Sequence, residues 1–254
     1  MFFEKNIDFA SDEIQGERQR QEDFCAFALL DETKSLYKGL VAILADGMGG
    51  HQAGDEASKI AVNASCNYFL QSQFDLAKSL EYSVRYANEQ IGAFSINNAK
   101  DGCGSTIIYA YINEDKTSLY WVSVGDSLLY LYRAGKIQRL NADHSLYPEL
   151  KLQLEQGLIT EQELLENSHI LRSALDGNRL ELIDLSTSGY ALESGDVIIL
   201  ASDGIETIEE NEIEDFIQER DLLSAKGIAD GLINLVEEKK KFGQDNTSVM
   251  VVKI

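Results

Sequence analysis

The chain has 254 residues, of which 44% are hydrophobic and 26% charged, so it can bury a substantial core. Its 22 Lys and Arg against 43 Asp and Glu give a formal net charge of -21. This balance argues against broad binding to nucleic acids or anionic membranes, because both require a positive protein surface. With one proline and no linker or low-complexity tract, residues 1–254 are expected to form a single domain.

The chain lacks the features of an exported or membrane-anchored protein. Its first residues, MFFEKNID, show no basic segment followed by an apolar stretch, and the apolar runs are too short to span a bilayer. Cys25, Cys66 and Cys103 form no C-x-x-C pair, which predicts reduced thiols rather than a zinc or disulfide framework. We therefore expect a cytoplasmic monomer with no nucleic-acid or membrane partner.

The predicted elements do not alternate one by one. Runs rich in Val, Ile, Leu and Tyr predict strands at 24–30, 39–45, 105–112, 118–124, 127–133, 180–186, 196–202 and 247–254. Apolar residues spaced by three or four positions predict helices at 52–70, 75–97 and 221–240. This order disfavours a doubly wound parallel sheet and favours an α+β fold, with two packed, mostly antiparallel sheets and helices on their outer faces. The short turns within 105–133 predict an antiparallel meander.

The polar segment 143–169 lies between predicted strands and is partly helical in pattern. It could be a surface connection. It could also be a flap, since long insertions often shape access to a site.

Six carboxylates stand at the ends of predicted strands. A charge beside a buried strand is costly, and like charges brought together raise each other's pKa or require a cation between them. Because strand ends gather at the edge of a sheet, we expect several of these side chains to share one cleft. Oxygen ligands without Cys or paired His favour Mg²⁺ or Mn²⁺. The six are Glu22, Asp23, Asp46, Asp126, Asp203 and Asp245.

The glycines of GMGG, directly after Asp46, let the backbone pass close to an ion and offer a carbonyl as a ligand. A nucleotide-binding loop is disfavoured here. No G-K-[ST] occurs in 47–58, and Gln52 takes the last glycine position of the G-x-G-x-x-G pattern.

Eight motifs follow one another across nearly the whole chain. They are GERQRQED (16–23), DGMGGHQAGDEAS (46–58), GCGST (102–106), VGDSLLYLYR (124–133), LNADHS (140–145), ILRSALDG (170–177), LESGDVIILASDG (192–204) and GQDNTSVMVV (243–252). Together they resemble the PPM family, the metal-dependent type 2C protein serine/threonine phosphatases, in its bacterial form. The resemblance implies a four-layer α-β-β-α sandwich that hydrolyses phosphoserine and phosphothreonine in proteins. It also implies a binuclear Mn²⁺ or Mg²⁺ centre that activates water, and a partner kinase in the same cell.

The resemblance assigns metal ligands by position. Asp46 would bridge two ions, with the Gly47 carbonyl on one of them, and Asp203 and Asp245 would bind the other. Glu22 would bind a metal directly or through water.

Other roles are also implied by resemblance. Asp23 would hold metal-bound water, Asp126 matches a residue linked to a third, weaker metal site, and Arg18 matches the arginine that grips the substrate phosphate. Met48 stands where eukaryotic relatives often carry a histidine proposed as general acid, which leaves that role open between metal-bound water and, less favoured, His51.

The remaining histidines are less informative. His144 is interpreted as a structural residue of the DHS turn, and His169 gives no clear signal.

The alternative function is a catalytically inert module of the same fold that binds phosphoproteins or partner domains. Such a module should have lost its metal acids, whereas Asp46, Asp203, Asp245 and Arg18 are all present. If the chain is active, its charge predicts substrates with basic residues near the phosphosite.

Overall fold

A computed structural model describes residues 3–48, 53–100, 102–220 and 223–254. The helices are α1 (Gly54–Gln71), α2 (Leu76–Asn98), α3 (Tyr147–Glu155), α4 (Glu161–Asn167), α5 (Glu210–Gln218) and α6 (Ala225–Lys239), with a 3-10 helix at Asp203–Thr207. The strands are β1 (Phe9–Ile14), β2 (Asp23–Leu30), β3 (Gly39–Met48), β4 (Gly104–Ser105), β5 (Ile107–Asn113), β6 (Ser118–Val124), β7 (Leu128–Arg133), β8 (Lys136–Arg139), β9 (Asp184–Leu185), β10 (Tyr190–Ala191), β11 (Val197–Ala201) and β12 (Thr247–Lys253).

These strands form two sheets. One has five strands in the order β1-β12-β11-β7-β8, and the other has seven, with the path β10-β6-β5-β3-β2, β4 beside β3 and β9 beside β6. The neighbouring strands described are antiparallel in both sheets. The fold-class prediction is confirmed in this respect.

Alternating side chains of β3 build two different cores. Val41, Ile43 and Ala45 pack in the cluster under α1 and α2, whereas Leu40, Ala42 and Leu44 pack between the sheets. The period of two follows from the pleat of a strand, and burial on both faces explains why β3 is almost continuously apolar. On the other sheet, α5 and α6 cover the outer face through a third cluster. The order of layers is therefore α-β-β-α.

Helix starts follow from local capping. The Asp75 side chain accepts a hydrogen bond from the Lys78 backbone N–H at 3.0 Å, and Ser224 accepts one from the Gly227 backbone N–H at 3.2 Å. Each satisfies one of the backbone donors that the first turn of a helix leaves free.

The predicted meander is correct for β5 and β6 and wrong for β6 and β7. These two strands belong to different sheets, so the chain crosses from one sheet to the other at 125–127 instead of turning back in a hairpin. A short turn between two apolar strands is compatible with both arrangements. The choice depends on pairing with β11, which lies far along the chain.

Other differences concern weakly patterned segments. Predicted strand 180–186 reduces to the two residues of β9, and the sequence analysis did not identify β1, β8 or α5 as separate elements. Of the predicted helix 221–240, residues 221–222 lie outside the described residues and α6 covers the remainder from Ala225. None of the helices in the described ranges has the length and apolar character needed to cross a membrane.

Segment 143–169 contains α3 and α4, and neither helix has a buried residue. Its two ends are tied together. Leu146 N–H donates to the Ile170 carbonyl at 2.8 Å, and Arg172 N–H donates to the His144 carbonyl at 2.8 Å.

Candidate active site

A cleft of about 850 Å³ lies at the end of the two sheets where the carboxylates were predicted to converge. Seven of the eight predicted site residues line it: Arg18, Glu22, Asp46, Gly47, Asp126, Asp203 and Asp245. The eighth, Asp23, is buried directly behind them, since β2 pairs with β3 so that Asp23 lies opposite Asp46.

Asp46 is held by its backbone. Its N–H donates to Thr106 Oγ1 at 3.0 Å, while its carbonyl accepts hydrogen bonds from Ser105 Oγ and the Thr106 N–H at 2.9 and 2.8 Å. These contacts give the GCGST motif a physical role. They fix the strand end and place Asp46 on the wall of the cleft.

Asp23 is supported from the other sheet. Its Oδ2 accepts a hydrogen bond from Ser202 Oγ at 2.7 Å, and Ser202 Oγ in turn accepts one from the Ser248 N–H at 2.9 Å. Asp23 therefore connects β2 to the end of β11 and the start of β12, next to Asp203 and Asp245 in the chain.

Gly47 and Gly54 allow the start of α1 to pack against the carboxylate-bearing strand. A Cβ on Gly47 would lie 2.1 Å from the Gly54 carbonyl oxygen, and a Cβ on Gly54 would lie 2.8 Å from Glu22 Oε1. The first contact is with backbone and excludes any other residue at position 47, whereas a side chain at position 54 would displace the Glu22 carboxylate. Gly47 N–H also donates to the Glu22 carbonyl at 3.1 Å, which holds Glu22 beside the cleft.

Asn246 is a site residue to which the sequence analysis gave no role. Its Oδ1 accepts from the Glu22 N–H at 2.9 Å, while its Nδ2 donates to the carbonyls of Gln15 and Arg20 at 2.7 and 2.9 Å. One amide thereby fixes the segment that carries Arg18 and Glu22. The GQDN motif quoted above contained Asn246, but its partners lie more than 220 residues away in sequence.

The Arg18 guanidinium forms a salt bridge with the Asp245 carboxylate. The other Asp245 oxygen accepts a hydrogen bond from the Asn246 N–H at 2.8 Å. Arg18 thus lies in the cleft with its positive charge next to one of the predicted metal ligands.

The carboxylates destabilise one another's charged forms. Burial, followed by the charges of Asp23 and Asp203, raises the pKa of Asp46 well above its usual range. Burial is also the largest cause for three others, raising the pKa of Asp23 and Asp126 to about 7 and that of Asp203 to about 6. A site with this charge distribution favours either protons or a cation.

The donor set fits a hard divalent cation. Among the described residues, Asp23 Oδ1 and Asp203 Oδ1 are buried oxygens without a hydrogen-bond partner. Carboxylate and carbonyl oxygens are the ligands that Mg²⁺ and Mn²⁺ prefer. Within the described ranges, however, no three His, Cys, Asp or Glu side chains have the spacing of a formed metal site. What these carboxylates share is one cleft and one sign of charge.

The far wall of the cleft is held by α2. Asn88 Oδ1 accepts hydrogen bonds from the Asp176 and Gly177 N–H groups at 3.0 and 2.9 Å. This loop carries Asp176 into the lining of the cleft. His169, in the segment before the loop, also lines the cleft. The sequence predicted neither Asn88 nor His169, because a single polar residue in a helix or loop carries no positional signal.

The other candidates are placed as follows. His144 is 4% exposed, and its Nδ1 accepts a hydrogen bond from the Gly125 N–H at 3.2 Å, in agreement with a structural role. Met48 lines the cleft, and Cys103 is a buried residue in its wall. His51 lies outside the described residues.

The four-layer sandwich with an acidic cleft at the end of its sheets is the fold of solved bacterial serine/threonine phosphatases. The Mycobacterium tuberculosis serine/threonine phosphatase PstP/Ppp superposes with a TM-score of 0.76 at 26% identity, covering 97% of both chains. A catalytic domain of PstP, solved in complex with 2 manganese ions, gives a TM-score of 0.75 at 26% identity over 96% of both chains.

The sequence comparisons agree. The serine/threonine phosphatase stp of Listeria welshimeri is 30% identical over 223 residues, which cover 84% of this chain and 83% of the relative. The family model for protein phosphatase 2C matches residues 7–150. The chain belongs to the protein phosphatase 2C family and is a protein serine/threonine phosphatase of the bacterial type.

Proposed function

We propose that this enzyme hydrolyses phosphoserine and phosphothreonine in proteins, using Mn²⁺ or Mg²⁺ held by the cleft carboxylates. The observation that carries the proposal is the convergence of Asp46, Asp126, Asp203 and Asp245 on one cleft that also contains Arg18. The manganese complex of the similar PstP domain supports the choice of metal.

We assign the ligands as the resemblance implies. Asp46 and the Gly47 carbonyl would hold one ion, with Asp46 shared by a second ion that also takes Asp203 and Asp245. Glu22 would complete the pair directly or through water, and Asp126 would serve a third, weaker site. When bound, the ions would activate a water molecule for attack on phosphorus.

The chain's own residues would position the substrate. Arg18 can replace its contact with Asp245 by a bidentate pair with phosphate oxygens, which its planar guanidinium favours. Asp23 lies too deep to meet the substrate and would hold ordered water behind Asp46, oriented by its hydrogen bond from Ser202.

Residues 1–254 would act as one domain, and 143–169 as a flap beside the cleft. The tied ends of this segment and the absence of buried residues in α3 and α4 support a flap. We further propose that the enzyme is a monomer and that its substrates are phosphoproteins produced by a serine/threonine kinase.

The test is phosphate release from a phosphothreonine peptide by chelator-stripped protein, with and without Mn²⁺. We expect turnover that depends on Mn²⁺ and is reduced at least about 10³-fold in Asp46→Asn, since metal activation contributes several kcal/mol. Asp176→Asn is the matched control. It changes another carboxylate of the cleft that has no proposed metal role, so its turnover should stay within about threefold of the wild type.

Two outcomes would contradict the proposal. Folded protein that shows no turnover at any Mn²⁺ or Mg²⁺ concentration would favour the inert binding module instead. Unchanged turnover in Asp46→Asn would remove the bridging assignment while leaving the enzyme class intact.

A further inference from the structure

We infer that His169 is the general acid that protonates the leaving serine or threonine oxygen. The inference rests on the proposed function of the cleft. An alkyl alkoxide is a poor leaving group, so its departure is assisted by a proton donor. Met48, which lines the cleft at the position compared above with the histidine of eukaryotic relatives, cannot supply that proton.

His169 lies in the cleft next to a backbone segment that is held by hydrogen bonds. It lines the same cleft as Asp46, Asp203 and Arg18, and it is exposed. The next residue, Ile170, accepts the hydrogen bond from Leu146 at 2.8 Å and donates its own N–H to the Asn167 carbonyl at 3.1 Å. The backbone on this side is therefore held, while the imidazole remains accessible to a substrate.

Other described groups of the cleft are poorly suited to this role. Arg18 and Arg20 line it, but guanidinium groups do not release a proton in proteins. The Cys103 thiol is only 2% exposed, and the carboxylates proposed as metal ligands are assigned to the cations. The remaining Asp176 carboxylate already accepts hydrogen bonds from the N–H and Nδ2 of Asn178 at 2.8 and 2.9 Å. His144 is buried and already accepts the Gly125 hydrogen bond through Nδ1. Imidazole is the side chain best suited to give a proton near neutral pH, and His169 is the described imidazole that lines this cleft.

The step balances without another reactant. A bond forms between phosphorus and a water oxygen, and that water releases its proton to solvent. The bond between phosphorus and the serine or threonine oxygen breaks, with the electron pair staying on that oxygen. The oxygen takes a proton from the protonated His169 ring, and the neutral ring recovers one from solvent.

The experiment compares leaving groups in the Mn²⁺-loaded enzyme. The nitrophenolate of p-nitrophenyl phosphate leaves readily without a proton, whereas the alkoxide of a phosphothreonine peptide does not. We expect His169→Gln to lower kcat for the peptide by roughly 10²-fold or more and to change p-nitrophenyl phosphate turnover by less than about threefold. Ser168→Ala, one residue away and outside the cleft lining, should match the wild type on both substrates.

A second readout does not require turnover. The chain has 3 histidines, so single variants assign each imidazole resonance in an NMR spectrum. Adding inorganic phosphate to protein loaded with diamagnetic Mg²⁺ should shift the His169 ring signal and leave that of buried His144 unchanged.

The outcomes separate this inference from the function on which it rests. Equal losses on both substrates, no loss on either, or no shift of the His169 signal would overturn the role of His169 alone. So would a leaving-group effect that appears in His51→Gln and not in His169→Gln. Folded wild-type protein without metal-dependent turnover would overturn the proposed function and the role of His169 with it.

Discussion

At the scale of single residues, Asp46 shows how a buried strand can end in a charge. Its backbone N–H and carbonyl are hydrogen-bonded to Ser105 and Thr106, so the polar backbone groups at the strand end have partners in either protonation state of the carboxylate. The cost is concentrated on the carboxylate, whose pKa is raised by burial and by Asp23 and Asp203. The protein therefore keeps an electrostatically unfavourable group at a position where a cation would relieve it.

This arrangement predicts how stability depends on pH. In the folded protein the pKa of Asp23 and Asp126 is about 7 and that of Asp203 about 6, above the ordinary value of 3.8. Acids with raised folded pKa values contribute stability that is complete below the unfolded pKa and is lost as pH rises through the folded one. Metal-stripped protein should therefore lose Tm between about pH 4 and pH 7 through these groups, and the Tm gained on adding Mn²⁺ should increase over the same window.

Calorimetry of stripped and Mn²⁺-loaded protein at pH 5, 6 and 7 checks this. In Asp126→Asn the stripped protein should lose less Tm as pH rises, because one titrating carboxylate has been removed. A Tm gain from Mn²⁺ that is the same at every pH would contradict the prediction.

At the scale of elements, the cleft depends on contacts between units distant in sequence. The N-terminal end of α1 rests on Gly47, and α2 holds the 174–178 loop through Asn88 and through close packing of Gly92 on Gly177. A Cβ on Gly92 would lie 2.7 Å from the Gly177 Cα, which is backbone and cannot rotate away.

Gly92→Ala should therefore lower the free energy of unfolding by about 1–3 kcal/mol through overpacking, although alanine is the better helix former. It should also lower phosphatase activity, since Ala174 and Asp176 of the displaced loop line the cleft. Urea denaturation and peptide turnover measure the two effects.

Gly227→Ala in α6 provides the control. Its Cβ would meet the Leu223 side chain at 3.1 Å, which can give way, and α6 lies on the sheet face remote from α2. We expect a change between neutral and about 1 kcal/mol of added stability, with activity unchanged. Similar losses of stability and activity in both variants would show that replacing a helical glycine is harmful by itself and that the contact of Gly92 with Gly177 is not the cause.

At the scale of the whole molecule, the net charge of -21 creates a field that acts on every substrate before it reaches the cleft. An acidic phosphopeptide is repelled and a basic one attracted, and the effect weakens as salt shortens the Debye length from about 30 Å at 0.01 M to about 8 Å at 0.15 M.

We expect kcat/KM to be higher for a phosphothreonine peptide flanked by lysines than for one flanked by glutamates, by about tenfold or more at low salt. The ratio should shrink towards unity in 0.5 M NaCl. Steady-state assays of the two peptides at both salt concentrations test this, and equal rates at low salt would exclude long-range steering.

The sequence was sufficient where a feature is local. Asp46 and Asp203 stand out because each directly follows an apolar run, and α1 and α2 because their apolar positions repeat every three or four residues. The same patterns favour two sheets covered by helices, and the ordered motifs indicate the family. None of this depends on knowing which segments meet.

Only the tertiary structure decided which segments meet. Asn246 and Ser202 support Glu22 and Asp23 across 224 and 179 residues, and β6 and β7 belong to separate sheets because each finds its partners elsewhere in the chain. His169 reaches the cleft because the hydrogen bonds at the ends of segment 143–169 bring this turn back to it. Periodicity reports which face of an element is buried, whereas pairing and side-chain contacts depend on free energies summed over the whole fold. For that reason the sequence by itself determined which carboxylates end the apolar strands and which elements form the layers. Only the tertiary structure decided that these carboxylates meet in one cleft.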